Sequence, residues 1–175
     1  MPGLAIVHSP LQRFLEDDHA RLDALLARAD ASPERIDLPA YEAFRAGLLR
    51  HIAMEERVLL PEARRLRGGE AHPAARRLRA DHAALAALLV PTPTPEIVST
   101  IRRVLEEHNP IEEGPEGVYA DCETSSGPGA EALLARLRAV PEVALAPHVD
   151  GPHVQAHIER LVRRSLSARR GSSSR

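Results

Sequence analysis

Lysine is absent from this 175-residue chain, and all 23 basic side chains are arginine. Aromatics are scarce: Phe14, Phe44, Tyr41 and Tyr119 are the whole set. A core must then be built mostly from Leu, Ala and Val, a vocabulary that favours helices. The single cysteine, Cys122, excludes an intrachain disulfide framework and suits a reducing compartment. A formal net charge of −2 gives no reason to expect a polyanionic partner. Arginines dispersed among acids, without a stripe of stacking aromatics, argue against nucleic-acid binding. No segment approaches the roughly 18 apolar residues of a membrane span. The start, MPGLAIVHSP, lacks the basic region and apolar length of a signal peptide. A soluble cytoplasmic protein is expected, and the Arg-, Ala- and Pro-rich composition hints at a bacterial source.

What the chain does have is helical periodicity. Ser9-Pro10 opens a first helix, with Ser9 as N-cap and Gln12 closing a capping box. Leu11, Leu15, His19, Leu22 and Leu26 form its inward stripe, which dies out near SPER. A second helix starts around Asp37 and stops at Gly68-Gly69, with Phe44, Leu48, His51, Glu55 and Leu59 inward. A third runs roughly from Pro73 to Val90 on Leu78, His82, Leu85 and Leu89. Thr94-Pro95 opens the fourth, with Ile97, Ile101, Val104 or Leu105, His108 and Glu112 on one face. GPEGVYADCETSSGPG reads as a loop. A short helix near 130–140, a last one from Pro152 to about Leu166 and a disordered tail complete the chain. The expected fold is all-α, an up-and-down four-helix bundle over residues 8–122 with a C-terminal helical extension over 123–168, then a tail at 169–175.

Each main helix spends one inward position on a histidine: His19, His51, His82 and His108. Two of them add a glutamate one turn later, Glu55 and Glu112, on the same helix face. Successive histidines lie 32, 31 and 26 residues apart, close to one helix plus one short loop. All four should therefore reach one level of the bundle. A lone inward histidine is more often a satisfied core residue, but four matched helices with two matched glutamates are a metal-ligand set.

Structural zinc prefers four tetrahedral ligands, often cysteines, and Cys122 lies outside the pattern. Imidazole with carboxylate in a bundle core suits iron or manganese. The two glutamates can each bridge a pair of cations while the histidines end each side. Iron is favoured because histidine outnumbers carboxylate; manganese or zinc are possible substitutes.

The segments DDHARL, LRHIAMEERVLLP, ADHAAL and HNPIEEGPEGVY resemble the hemerythrin-like, or HHE cation-binding, family over roughly residues 8–122. The resemblance implies an up-and-down four-helix bundle around a non-heme di-iron centre that binds O2 or reacts with peroxide or NO. It implies that His19 and His51 serve one iron, His82 and His108 the other, with Glu55 and Glu112 bridging. Oxygen-carrying members have a further histidine one turn away on the third helix, where this chain has Leu78 and Ala86. The set looks more like the sensing members, or those linked to peroxide stress, than a carrier.

Three functions follow as expectations: an O2, peroxide or NO binder or sensor, a catalase-like enzyme, or an iron store or structural bundle. No protein partner is identified. Pro110 removes a backbone donor inside the fourth helix, and a widened turn there would bring Glu113 inward; ideal spacing favours Glu112. Glu116 and Tyr119 are read as surface-loop residues. Glu56 points about 100° away from the ligand face and is read as a surface group or one that supports a ligand from behind. Asp18 and Asp81 could orient imidazoles or be solvated, and Cys122 is read as an ordinary loop thiol. His8 and His72 belong to helix starts. His148, His153 and His157 offer a second metal site or a cap that lends a ligand, but exposed histidines beside acids is the plainer reading.

Overall fold

The computed structural model describes residues 9–32 and 35–170, and the regular structure among them is all helical. His8 and the 171–175 part of the expected tail lie outside the described residues. Helix α1 spans Pro10–Ala29 and α2 spans Leu38–Met54. One π turn, Glu55–Leu59, leads α2 straight into α3, Leu60–Leu66. Then come α4 (Ala75–Leu88), α5 (Pro95–Glu113), α6 (Val118–Ser126), α7 (Ala130–Arg138) and α8 (Pro152–Arg170). α1 packs on α2, α4 on α5, and α5 closes back on α1, giving the up-and-down bundle. No helix among the described residues is long and apolar enough to cross a membrane.

The helix starts follow sequence chemistry with one exception. Asp37 and Thr94 cap α2 and α5, accepting from the backbone N–H groups of Ala40 and Ile97. The expected capping box at Ser9 does not form, because Gln12 reaches instead for Glu16 and the Glu113 carbonyl on α5. Gly68 and Gly69, at φ 67° and 100°, stop the second helix as expected. Pro61 explains the π turn. Its ring lacks an N–H and would press on the carbonyl four residues back, and a wider turn, with Leu60 N–H bonded to the Glu55 carbonyl, relieves this.

The inward stripes read from the sequence are buried, and they build two apolar cores rather than one. Tyr41, Phe44, Leu48, Leu85 and Ile101 belong to the first, and Leu11, Leu15, Met54, Leu59 and Leu78 to the second. The histidines and glutamates fall between these two sets along each helix.

The segment expected to be a loop is the main correction to the fold. Residues 118–126 form α6, and Val118, Tyr119 and Cys122 are fully buried. Polar, Gly-rich composition loses here to tertiary burial of one apolar face. Residue 122, the expected domain edge, thus lies inside a helix. Gly117 permits the reversal from α5: a Cβ there would sit 2.1 Å from the Glu112 carbonyl oxygen. α8 runs four residues past the expected end, to Arg170, and lies along α4. Val149 N–H bonds the Val90 carbonyl and Asp150 accepts from Thr92, fastening the chain before α8 to the bundle.

Candidate metal centre

All six residues picked out by spacing converge. His19, His51, Glu55 and Glu112 place ligand atoms within 4.8 Å of one another, as do Glu55, His82, His108 and Glu112. Every one of the six is buried. The glutamates belong to both groups because each sends one oxygen to either side. Glu55 Oε1 lies 3.3 Å from His51 Nε2, while its Oε2 lies 3.1 Å from His82 Nε2. Glu112 Oε2 lies 3.6 Å from His19 Nε2, while its Oε1 lies 3.2 Å from His108 Nε2. Helix α5 continues regularly through Pro110, so Glu112 takes the inward position and Glu113 does not.

Glu113 has another task. Every inward imidazole turns its Nδ1 edge outward to a carboxylate from the neighbouring helix. His51 Nδ1 faces Asp18 at 2.9 Å, His82 Nδ1 faces Glu56 at 2.7 Å, His108 Nδ1 faces Asp81 at 3.4 Å and His19 Nδ1 faces Glu113 at 2.6 Å. The four pairs close a ring. Each bundle helix carries an acid adjacent in sequence to its own inward residue, and lends it to a histidine on another helix. A carboxylate at Nδ1 keeps a proton on that nitrogen, so Nε2 is the nitrogen aimed inward and the one a cation would use. The solvated reading of Asp18 and Asp81 is thereby overturned, and Glu56, although partly exposed, serves His82.

Tyr119 corrects the sequence reading most. It is fully buried on α6, and its hydroxyl donates to Glu55 Oε1 at 2.6 Å. The same oxygen lies 3.1 Å from Glu112 Oε2, 3.2 Å from His19 Nε2 and 3.3 Å from His51 Nε2. One phenol therefore touches all four members of the His19–His51 half. No periodicity could reveal it, because α6 lies outside the four helices; the only signal was a tyrosine shortly after His108 and Glu112. Glu116 is exposed, in line with the expectation.

The electrostatics are those of a strongly acidic interior. Burial alone lowers His51, but the charge of Glu55 and hydrogen bonds with Asp18 and Glu55 outweigh it and raise the imidazole to about 10. His108 is likewise opposed by burial yet raised to about 9 by Glu112 and Asp81. Against the same burial penalty, Glu112, Glu55 and Glu56 hold His82 well above its ordinary value. Glu55 runs the other way: burial pushes its carboxyl up, but His51 and His82 take it well below the usual range. Burial, with the two glutamates beside it, keeps the Tyr119 phenol protonated far into the alkaline range.

The donor set suits cations, and three orphaned atoms show where. His82 Nε2, Glu55 Oε2 and Glu112 Oε1 are buried and make no hydrogen bond. All three point into the half that Tyr119 does not reach. They crowd nitrogens and oxygens at 3.1–3.2 Å without an aligned hydrogen bond. A poorly satisfied buried polar atom costs about 1–3 kcal/mol, which a bound cation would offset. A groove of about 910 Å³ between α1 and α5, lined by Ala20, Ala24, Leu105 and Asn109, leads from the surface to His19 and Glu113.

The remaining histidines stand apart. His153 and His157 are exposed on α8, while His148 is half-buried and bonds Glu42 at 2.5 Å. His72 is buried and accepts from the Ala74 N–H just before α4. Cys122 is buried on α6 instead of lying in a loop, and burial, with Asp121 and Glu62 nearby, pushes its thiol up to about 12, far from a reactive thiolate.

The family model described as Hemerythrin HHE cation binding domain aligns with residues 11–151. No curated protein and no solved structure matches the chain significantly.

Proposed function

The chain belongs to the hemerythrin HHE cation-binding domain family, and on that premise we propose that its buried cluster holds two iron ions and binds or senses O2 or a reactive oxygen or nitrogen species. The observation that carries this reading is the division of Glu55 and Glu112, each with one oxygen among the nitrogens of either half. His19 and His51 would hold one ion, His82 and His108 the other, and the two glutamates would bridge. Manganese or zinc could take the same donors, but a histidine-rich set with few carboxylates favours iron. When bound, a pair of irons supplies redox-active positions that exchange a small ligand.

The chain's own residues do the rest. The outer carboxylates hold Asp- and Glu-bound Nδ1 protons in place, so no imidazole need turn to ligate. The apolar cores on either side keep bulk water from the cluster. The Tyr119 hydroxyl fills the His19–His51 half, whereas the His82–His108 half holds only its own imidazoles and the two glutamates, without aligned hydrogen bonds at His82 Nε2, Glu55 Oε2 and Glu112 Oε1. An incoming diatomic is therefore expected at the latter.

A second reading, peroxide decomposition, asks for a proton donor beside the cations, and the Tyr119 hydroxyl is one. Tyr119→Phe keeps the packing and removes only the hydroxyl. Metal content should not change, and any peroxide turnover should fall by roughly a hundredfold, read with an oxygen electrode. Unchanged turnover would remove Tyr119 from the chemistry.

The deciding experiment loads iron anaerobically, counts metal and then adds oxidant. Two irons per chain and a visible spectrum that changes reversibly with O2 are expected of a binder or sensor, with peroxide consumed once. Sustained O2 release from peroxide marks the enzyme instead. Iron-supplied protein that holds zinc alone would leave only a structural role.

A further inference from the structure

Helix α8 lies outside the four-helix bundle, yet it reaches the cluster. Its apolar stripe begins Val154, Ile158, Leu161, Val162, of which Ile158 is buried and the others half-buried, and packs against the first apolar core. The next position of that stripe is not apolar. It is Ser165, fully buried, and its hydroxyl donates to Asp81 Oδ1. The other oxygen of Asp81 is the one that faces His108 Nδ1. A chain of two hydrogen bonds thus runs from the C-terminal extension to a histidine of the cluster.

Asp81 differs from the other three outer carboxylates. The side chains of Asp18, Glu56 and Glu113 remain 11%, 30% and 34% exposed, so water helps to orient and solvate them. Asp81 is 0% exposed, and Arg77 approaches its Oδ2 only to 3.9 Å. A dry carboxylate takes its orientation from the groups packed on it, and one of these belongs to α8. Asp81, Ala84 and Leu88 are buried on α4 at spacings of three and four, a second stripe beside the inward one. α8 packs along α4, and Ser165 meets this stripe at Asp81. His108, in turn, belongs to the half of the cluster that holds the orphaned atoms.

We propose that α8 is a working part of the metal centre: Ser165 is a positioning residue that fixes Asp81, and through it His108, so that docking of α8 and cation binding at the His82–His108 half support one another. The proposal rests on the two-cation reading above. Coupling of this kind is reciprocal. Whatever factor α8 contributes to cation affinity, the cation returns to α8 docking. Occupancy of a buried site would thus be legible on the surface of the protein, as the stability of its last helix.

The test titrates the full chain with Fe(II) under argon against a competing chelator, and follows hydrogen exchange of residues 152–170 with and without metal. Wild type should bind two cations, and α8 amides should exchange more slowly when they are bound. Ser165→Ala should still bind two, one of them about tenfold more weakly, and the metal-dependent protection of α8 should shrink. Ser165→Thr, which keeps the hydroxyl, should restore both; a merely space-filling role would not distinguish the hydroxyl or single out one site. The double variant His153→Ala/His157→Ala, exposed on the same helix, should behave as wild type. Two wild-type affinities in Ser165→Ala, or α8 exchange in wild type that ignores metal, would overturn the proposal and leave the two-cation reading standing. Wild type that takes fewer than two cations would overturn both.

Discussion

Glu55→Ala should empty both cation positions at once, whereas His51→Ala should empty one. The difference follows from the split of the Glu55 carboxylate between His51 on one side and His82 on the other. His51 Nε2 contacts only members of the first half, so the His82–His108 pair keeps its donors without it. The metal-free fold should suffer too. Glu55 is buried against two imidazoles held protonated and the Tyr119 hydroxyl, and removing it strands positive charge in a dry interior. Breaking one partner of a buried pair costs about 3–5 kcal/mol, a large share of the roughly 5–15 kcal/mol of a typical domain. Glu55→Gln keeps the shape and a hydrogen-bond acceptor for Tyr119, so it should fold better yet still lose metal. Metal analysis of the three variants, with urea denaturation of their metal-free forms, checks this. Two ions retained by Glu55→Ala, or none by His51→Ala, would contradict the bridging arrangement.

Cation affinity should climb steeply with pH. A cation needs the Nε2 lone pair, but in the metal-free protein His51 titrates near 10 and His108 near 9, with His82 also raised. Near neutrality these imidazoles carry protons that loading must displace. Each proton displaced makes affinity change about tenfold per pH unit. With two or more displaced, zinc affinity should fall at least about a hundredfold from pH 8 to pH 7, and protons should appear in a weakly buffered titration. Flat affinity across that range, or no proton release, would count against ligation by these nitrogens.

The metal-free fold should show the opposite slope on the alkaline side. The raised histidines stabilise it fully below their ordinary value of 6.5, and that contribution is lost as pH rises through 9 and 10. The lowered carboxyls of Glu55 and Glu112 stabilise it above their ordinary 4.5 and fail only as pH drops through their depressed values. Metal-free protein should therefore resist urea better at pH 6 than at pH 9, while the loaded form gains from pH 6 to pH 8. Parallel slopes for the two forms would mean that the imidazoles do not exchange protons for metal.

Much of this was written along the chain. A helix repeats its face every three to four residues, so Leu11, Leu15, His19, Leu22 and Leu26 had to share a side, and so did their counterparts on three more helices. Similar spacing of four histidines, 32, 31 and 26 residues, then had to bring them to about one depth. The six inward ligand candidates, the bundle and the additional C-terminal helices were legible for that reason, because local periodicity and chain length are properties of sequence alone.

What lies between elements was not legible. An acid beside each inward residue is visible in Asp18-His19, Glu55-Glu56, Asp81-His82 and Glu112-Glu113, but which imidazole each acid serves depends on how helices turn against one another. The reversal at Gly117 that brings Tyr119 under the cluster, and the docking that sets Ser165 on Asp81, join residues 64 and 84 positions from their partners. Sequence by itself determined which side chains face inward and at what height. Tertiary packing alone decided their partners, because hydrogen bonds and charge act across a few ångströms of space, and distance along the chain does not report them.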